Sequence, residues 1–149
     1  MLVYEDDNEG IKLKYPQDWQ AIKGDPIRGE VAKFVSPKES SSDIFQENIL
    51  LSVEIPDSTN LDDYTNNTVL VISKQLTNDV VSPRKTTLGS LEGRLVVYTQ
   101  KEGLLRLKKQ QLWTMRGNRV YVITYSAEEG KYADFEAIAT QVIDSFEFD

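Results

Sequence analysis

The stretch Ser40-Ser41-Ser42-Asp43-Ile44-Phe45-Gln46-Glu47-Asn48 gathers polar groups around two apolar residues, Ile44 and Phe45. Asp43, Glu47 and Asn48 supply oxygens that could hold a cation or accept hydrogen bonds from a partner's backbone amides. The same groups could equally cap and brace their own loop, which is the commoner use of such residues. A second acidic run, Asp6-Asp7-Asn8-Glu9-Gly10, echoes the start of a helix-flanked calcium loop. It fails that pattern, because Gly10 and Gln17 fall where an oxygen ligand and the bidentate Glu are required. It reads as a solvated turn.

From Lys101 to Arg119 the charge balance reverses, with Lys101, Arg106, Lys108, Lys109, Arg116 and Arg119 against Glu102. On a strand, Arg106, Lys108, Gln110 and Arg116 share one face. That face could dock an acidic surface, with the effect felt in association rate and salt dependence. A solvated sheet face, or an edge strand protected by Lys, accounts for the same pattern. Trp19, Trp113, Tyr15, Tyr98, Tyr121 and Tyr125 could line a ligand pocket, but spacing puts most of them on alternating strands, where such residues are far more often core. Asn66-Asn67-Thr68 matches a glycosylation sequon in the middle of an expected helix.

Absences remove more chemistry than these clusters add. The 149 residues include no Cys and no His, which excludes thiol nucleophiles, Cys-His zinc sites and His-dependent triads. No glycine-rich phosphate loop is present, and Glu128 and Glu129 are adjacent, hence pointed apart. No catalytic constellation survives, and the chain reads as a non-enzyme. Seventeen Lys and Arg against 24 Asp and Glu leave a net charge of −7, which argues against nucleic acid as a partner. No apolar run approaches the roughly 20 residues of a membrane-spanning helix. Met1-Leu2-Val3-Tyr4 leads directly into Glu5-Asp6-Asp7 with no basic-then-apolar signal. Either the protein is cytoplasmic or this is a domain excised from a longer chain.

The elements that must position these groups follow from periodicity. Ile11, Leu13 and Tyr15 alternate with Lys12 and Lys14 up to Pro16, the pattern of a half-buried strand. Val31 to Ser36 and Ile49 to Ile55 repeat it, with Lys38 to Asn48 as the loop between them. The period then changes, and Leu61, Tyr64, Thr68, Val71, Ile72 and Leu76 predict a helix near 60–77, capped by Thr59 or Asn60. Val80 to Leu88 follows as a strand that Pro83 assigns to an edge or bulge. After a turn within Gly89 to Gly93, strands run over Leu91 to Thr99, Leu104 to Arg116 and Arg119 to Ala127, joined at Gly103 and Gly117-Asn118. Tyr132, Phe135, Ile138, Ala139, Val142 and Phe146 form the stripe of a closing helix. The order β-β-β-α-β-β-β-β-α predicts a single α+β domain over 1–149. Each helix should lie on the sheet.

Several of these stretches resemble the PsbP family, extrinsic lumenal proteins of photosystem II and their relatives. Gly10 to Trp19, with a Tyr-Pro pair followed by Trp, looks like the family's opening strand, and Phe34-Val35-Ser36-Pro37 like its next marker. Asp43 to Ile49 resembles the acidic turn that leads into the third strand, Leu61-Asp62-Asp63-Tyr64 the start of the first helix, and Ile143 to Phe146 the ending. The resemblance implies an α/β/α sandwich with a central antiparallel sheet flanked by helices, and a non-enzymatic role. It also implies an extracytoplasmic setting, periplasm or thylakoid lumen, and a protein partner; no cofactor is expected of the chain itself, with calcium left open by the resemblance alone. The Tyr-Pro opening and the Asp43 to Ile49 stretch look closest to the sensor-like domains at the C-terminal end of cyanobacterial-type serine/threonine kinases. The alternative is a free-standing extrinsic factor for assembly or stabilisation of the oxygen-evolving complex, docked on a photosynthetic membrane complex through Arg106, Lys108 and Arg116. The chain lacks the photosystem subunit's flexible N-terminal extension.

Overall fold

In the computed structural model, which describes residues 1–58, 60–75 and 82–149, the strands form two sheets. The chain runs β1 (Leu2–Asp6), β2 (Ile11–Tyr15), β3 (Gln20–Lys23), β4 (Glu30–Val35), β5 (Asn48–Glu54), α1 (Leu61–Gln75), β6 (Arg84–Leu88), β7 (Leu91–Glu102), β8 (Leu105–Arg116), β9 (Arg119–Glu128), α2 (Tyr132–Asp144) and β10 (Glu147–Phe148). The large sheet has the order β3-β4-β5-β9-β8-β7-β6, and a small one the order β1-β2-β10. All pairings are antiparallel.

Three strands go beyond the expected order. These are β1, β3 and β10, and β2 with its clean alternation belongs to the small sheet rather than the central one. The expected acidic turn at Asp6 to Gly10 is the β1–β2 hairpin, closed by bonds from Gly10 N to Asp6 O and from Glu9 N to Asp6 Oδ1, each 2.9 Å. Thr59, Leu76, Val80 and Val81 lie outside the described residues; Asn60 caps α1, its Oδ1 accepting from Asp63 N at 2.8 Å. As expected from Pro83, β6 is an edge strand. The β6–β7 turn is only Gly89-Ser90, with φ of 59° and 69°, the left-handed pair a two-residue hairpin demands.

Parity along β9 explains the layering. Tyr121, Ile123, Tyr125 and Ala127 face the core beneath α2, whereas Val120 and Val122 face the core beneath α1. Both faces of this central strand are therefore covered, and its burial is nearly continuous. Ile11 and Leu13 of the small sheet join the α2-side core together with Phe34, Ile49, Leu51 and Phe146. The result is an α/β/α sandwich, with α1 on one face and α2 plus the small sheet on the other.

Candidate functional site

The loop between β4 and β5 is folded around its own side chains. The Asp43 carboxylate accepts from the backbone N–H of Glu39 and of Phe45, each at 3.2 Å, and its side chain is 1% exposed. Gln46 Nε2 donates to Ser36 O at 2.7 Å and Asn48 Nδ2 to Gln46 O at 3.1 Å. Asn48 thus ties the loop to itself. Ile44, one of the two apolar residues around which the loop's polar groups gather in sequence, is 76% exposed. The backbone amide of Glu39, then that of Phe45 and the Lys131 ammonium, hold the Asp43 carboxyl below the ordinary Asp range.

The start of α2 closes this loop from above. Lys131 Nζ lies 3.0 Å from Glu39 Oε1, 3.6 Å from Asp43 Oδ1 and 3.7 Å from Glu128 Oε2. Its pKa is raised, chiefly by the bond to Glu39. Glu47 is fully buried and its Oε2 accepts from Glu128 N at 3.2 Å, but its Oε1 has no partner. Burial pushes the Glu47 carboxyl above the usual Glu range. Ser36 Oγ, also buried, lacks a partner too. Ser36 N donates to Glu47 O at 2.8 Å, so these residues continue the β4–β5 ladder side by side, facing the α2 layer as Phe34 and Ile49 do. Oxygens of Glu39, Asp43 and Glu47 all lie within 4.8 Å of one another. The loop supplied two of these carboxylates to the sequence reading; Glu39, Glu128, Lys131 and Ser36 were missed. Sequence spacing does not link the loop to Glu128 and Lys131, because the turn before α2 brings that pair from more than eighty residues away.

The basic residues of β8 take a different arrangement from the expected ridge. Arg106 Nε pairs with Glu129 Oε2 at 2.8 Å, and Lys108 Nζ sits 4.4 Å above the Tyr132 ring. Arg116 Cζ lies 4.6 Å over the ring of Phe148. All three point to the α2 side, but about 30 Å of strand separates Arg106 from Arg116. Buried Leu112 interrupts the row between them. The structure brings Arg106 and Lys108 together at one end and leaves Arg116 at the other. The strand is interior to the sheet, so protection of an edge is not what these cations do. Beside Arg106, the β7–β8 turn presents a fully exposed Leu104.

Glu128 and Glu129 point to different partners, Lys131 and Arg106, as adjacency required. Of the six aromatic residues considered, Trp19, Trp113, Tyr121 and Tyr125 are buried, with Trp113 Nε1 donating to Thr65 Oγ1 at 2.9 Å, whereas Tyr15 and Tyr98 are only half-buried. Between α1 and the sheet an open groove of about 490 Å³ is lined by Tyr64, Tyr98, Asn67, Gln75 and Gln111 among others. Tyr98, which donates to Gln111, has a pKa raised by burial to about 12, so it stays a neutral hydrogen-bonding group. Among the described residues no helix is long and apolar enough to cross a membrane.

Comparison with known proteins bears on what this frame serves. A family model described as "PsbP-like protein" matches residues 1–148. No curated protein sequence matches the chain. Among solved structures, cyanobacterial PsbP (CyanoP) from Synechocystis superposes with a TM-score of 0.68 at 15% identity, covering 99% of this chain and 92% of that one. LpqN, involved in cell envelope biogenesis of Mycobacterium tuberculosis, gives a TM-score of 0.63 at 15% identity over 92% of this chain and 82% of its own. A Bacteroides thetaiotaomicron protein gives 0.65 at 15% identity over 99% of this chain, which spans only 48% of that longer one. At such identities the likeness establishes a common fold and nothing finer.

Proposed function

The chain belongs to the PsbP-like family, and from that premise we propose that it is a non-catalytic binding module working outside the cytoplasm, as the C-terminal sensor domain of a serine/threonine protein kinase. The observation that carries the reading is the match over residues 1–148, which includes both stretches that look closest to kinase-attached domains. Tyr15-Pro16 closes β2, and Asp43 to Ile49 forms the braced loop beneath Lys131. The involvement of LpqN in cell envelope biogenesis supports an extracytoplasmic setting. The test is the native reading frame, followed by expression with its product. Kinase motifs and an apolar span upstream of Met1 are the expected result; a frame opening at Met1 overturns the kinase assignment.

A second reading is favoured by a specific observation, that the likeness to cyanobacterial PsbP runs over nearly all of both chains. On it the protein is a free-standing extrinsic factor that docks on a photosystem through Arg106 and Lys108, with Arg116 as a separate contact. The Arg106 side chain is 57% exposed despite its pair with Glu129. Affinity capture from solubilised membranes of the source organism should then recover photosystem II subunits at low salt. Recovery should fall with added salt and in Arg106→Glu. Undiminished recovery by the variant removes Arg106 from the interface.

A further inference from the structure

We propose that the groove between α1 and the sheet binds an extended peptide segment carrying a basic group at one end. The proposal deepens the binding-module reading by giving it a ligand, and it rests on neither the kinase nor the photosystem assignment. One wall is a ridge of α1, on which Asn67, Val71 and Gln75 recur at every fourth residue. The other side is formed by Tyr98 and Gln111 of the sheet and by the residues that follow β5. Val71 and Ile55, both more than half exposed, give the groove aliphatic lips that can hold a peptide's side chains.

Unused hydrogen-bonding groups give the first indication of the ligand's class. The side chains of Asn67 and Gln75 have no hydrogen-bond partner among the described residues, and Gln111, whose Oε1 accepts from Tyr98, keeps its Nε2 free. Each primary amide sets a donor beside an acceptor, the pair that a peptide bond also presents. On the facing lip, residues 55–58 make no backbone–backbone bond among the described residues. Length agrees with an extended chain. Asn67 and Gln75 are eight residues apart, about 12 Å along the helix. Across the groove, Glu54 stands level with Met115 through Val120, and Gln111 lies four residues from Met115 along β8, about 13 Å. Both walls therefore run for about four extended residues.

Charge sets the ligand's direction. Among the described residues, Glu54 and Asp57 are the only charged side chains on the walls, and they belong to the same end of the groove. Glu54 Oε2 accepts from the Tyr64 hydroxyl at 2.7 Å, which fixes the carboxylate and leaves Oε1 open. An ammonium or guanidinium at that end, with neutral peptide along the rest, complements this distribution. An oligosaccharide fits it less well. Tyr64 is 8% exposed and meets Trp113 edge to face, and Tyr98 is half-buried, so neither ring offers an open face for a sugar to stack on.

The experiment is titration of the isotope-labelled chain with libraries of N-acetylated tetrapeptide amides, followed by NMR of its backbone and side-chain amides. One library fixes Lys at either end and the other fixes Glu, with the remaining positions equimolar. The Lys library should shift the side-chain amides of Asn67, Gln75 and Gln111, and the Glu library should not. Val71→Arg, on the groove ridge, should weaken binding by about tenfold. Leu70→Arg, the same change of charge on an exposed position of α1 outside the groove, should leave it within about twofold. Glu54→Gln keeps an acceptor for Tyr64 and should weaken the Lys library by about threefold. Unshifted groove amides with the Lys library, or equal shifts with the Glu library, overturn the proposal. So does equal weakening by Val71→Arg and Leu70→Arg. Maltotriose that shifts these amides where the Lys library does not assigns the groove to a sugar instead. None of these outcomes depends on what lies upstream of Met1, so a silent groove leaves the binding-module reading to its own test.

Discussion

At the scale of single residues, two buried polar groups show how environment decides a side chain's role. Trp113 is fully buried, and its indole N–H has Thr65 Oγ1 as acceptor. Thr65→Val keeps the shape but strands that donor, so it should destabilise the fold by about 1–3 kcal/mol, read as a lower urea midpoint at unchanged slope. Glu47 is the opposite case, a charge that burial disfavours. Its folded pKa lies above its unfolded one, so its contribution to stability is complete below the ordinary Glu range and is lost as pH rises through the folded value. Glu47→Gln should therefore raise Tm at about pH 7.5, with the gain disappearing near pH 4, where the wild-type carboxyl is protonated as well. An equal Tm difference at both pH values would show that the charge is not what the substitution relieves. Asp43, lowered by its backbone bonds, runs the other way: its contribution is complete above the ordinary Asp range and is lost as pH falls through the folded value. Residue types alone pointed to Asp43 and Glu47. Their opposite titration could not be read there, because it is set by the Glu39 amide, the Lys131 ammonium and the covering α2 layer.

Among the elements, what the sequence conceals has a common physical cause. The strands that periodicity missed, β1, β3 and β10, all lie at sheet edges. β3 is exposed at every position, β1 buries none of its residues fully, and β10 is two residues long. A strand with no buried face has no alternation to reveal it. The interior strands and both helices, which bury a face, were legible to within a few residues. Parity likewise placed Arg106, Lys108 and Arg116 on one side of β8, but not what covers that side, so one expected ridge became two separate ends. Strand pairing also makes a demand on Gly93, where an added Cβ would stand 2.7 Å from the Trp113 carbonyl oxygen across the β7–β8 ladder. Gly93→Ala should push the strands apart and destabilise by about 1–3 kcal/mol. A Tm within error of the wild type would mean that the ladder bends without penalty.

Considered as a whole, the molecule carries two unequal cores on one sheet. The α2 side joins Ile11, Leu13, Phe34, Ile49, Leu51, Ile123, Tyr125 and Phe146 under a helix and a second sheet, with β10 returning to pair with β2. The α1 side holds Tyr64, Ile72, Val96, Trp113, Val120 and Val122, and α1 leaves Leu70 and Val71 more than half exposed. Each helix showed one apolar stripe in the sequence, and both stripes looked alike, since periodicity measures a helix and not the surface it meets. The difference appears only when the sheet's odd and even residues are assigned to faces. Local opening free energy follows buried apolar contact, so α1 should unfold from the sheet well before the rest of the chain opens. Native-state hydrogen exchange is the measurement. Amides of α1 should exchange through a low-energy opening insensitive to denaturant, whereas those of β9 and α2 should exchange only near the global unfolding free energy. Equal protection of α1 and α2 would make the fold one cooperative unit and void the inequality.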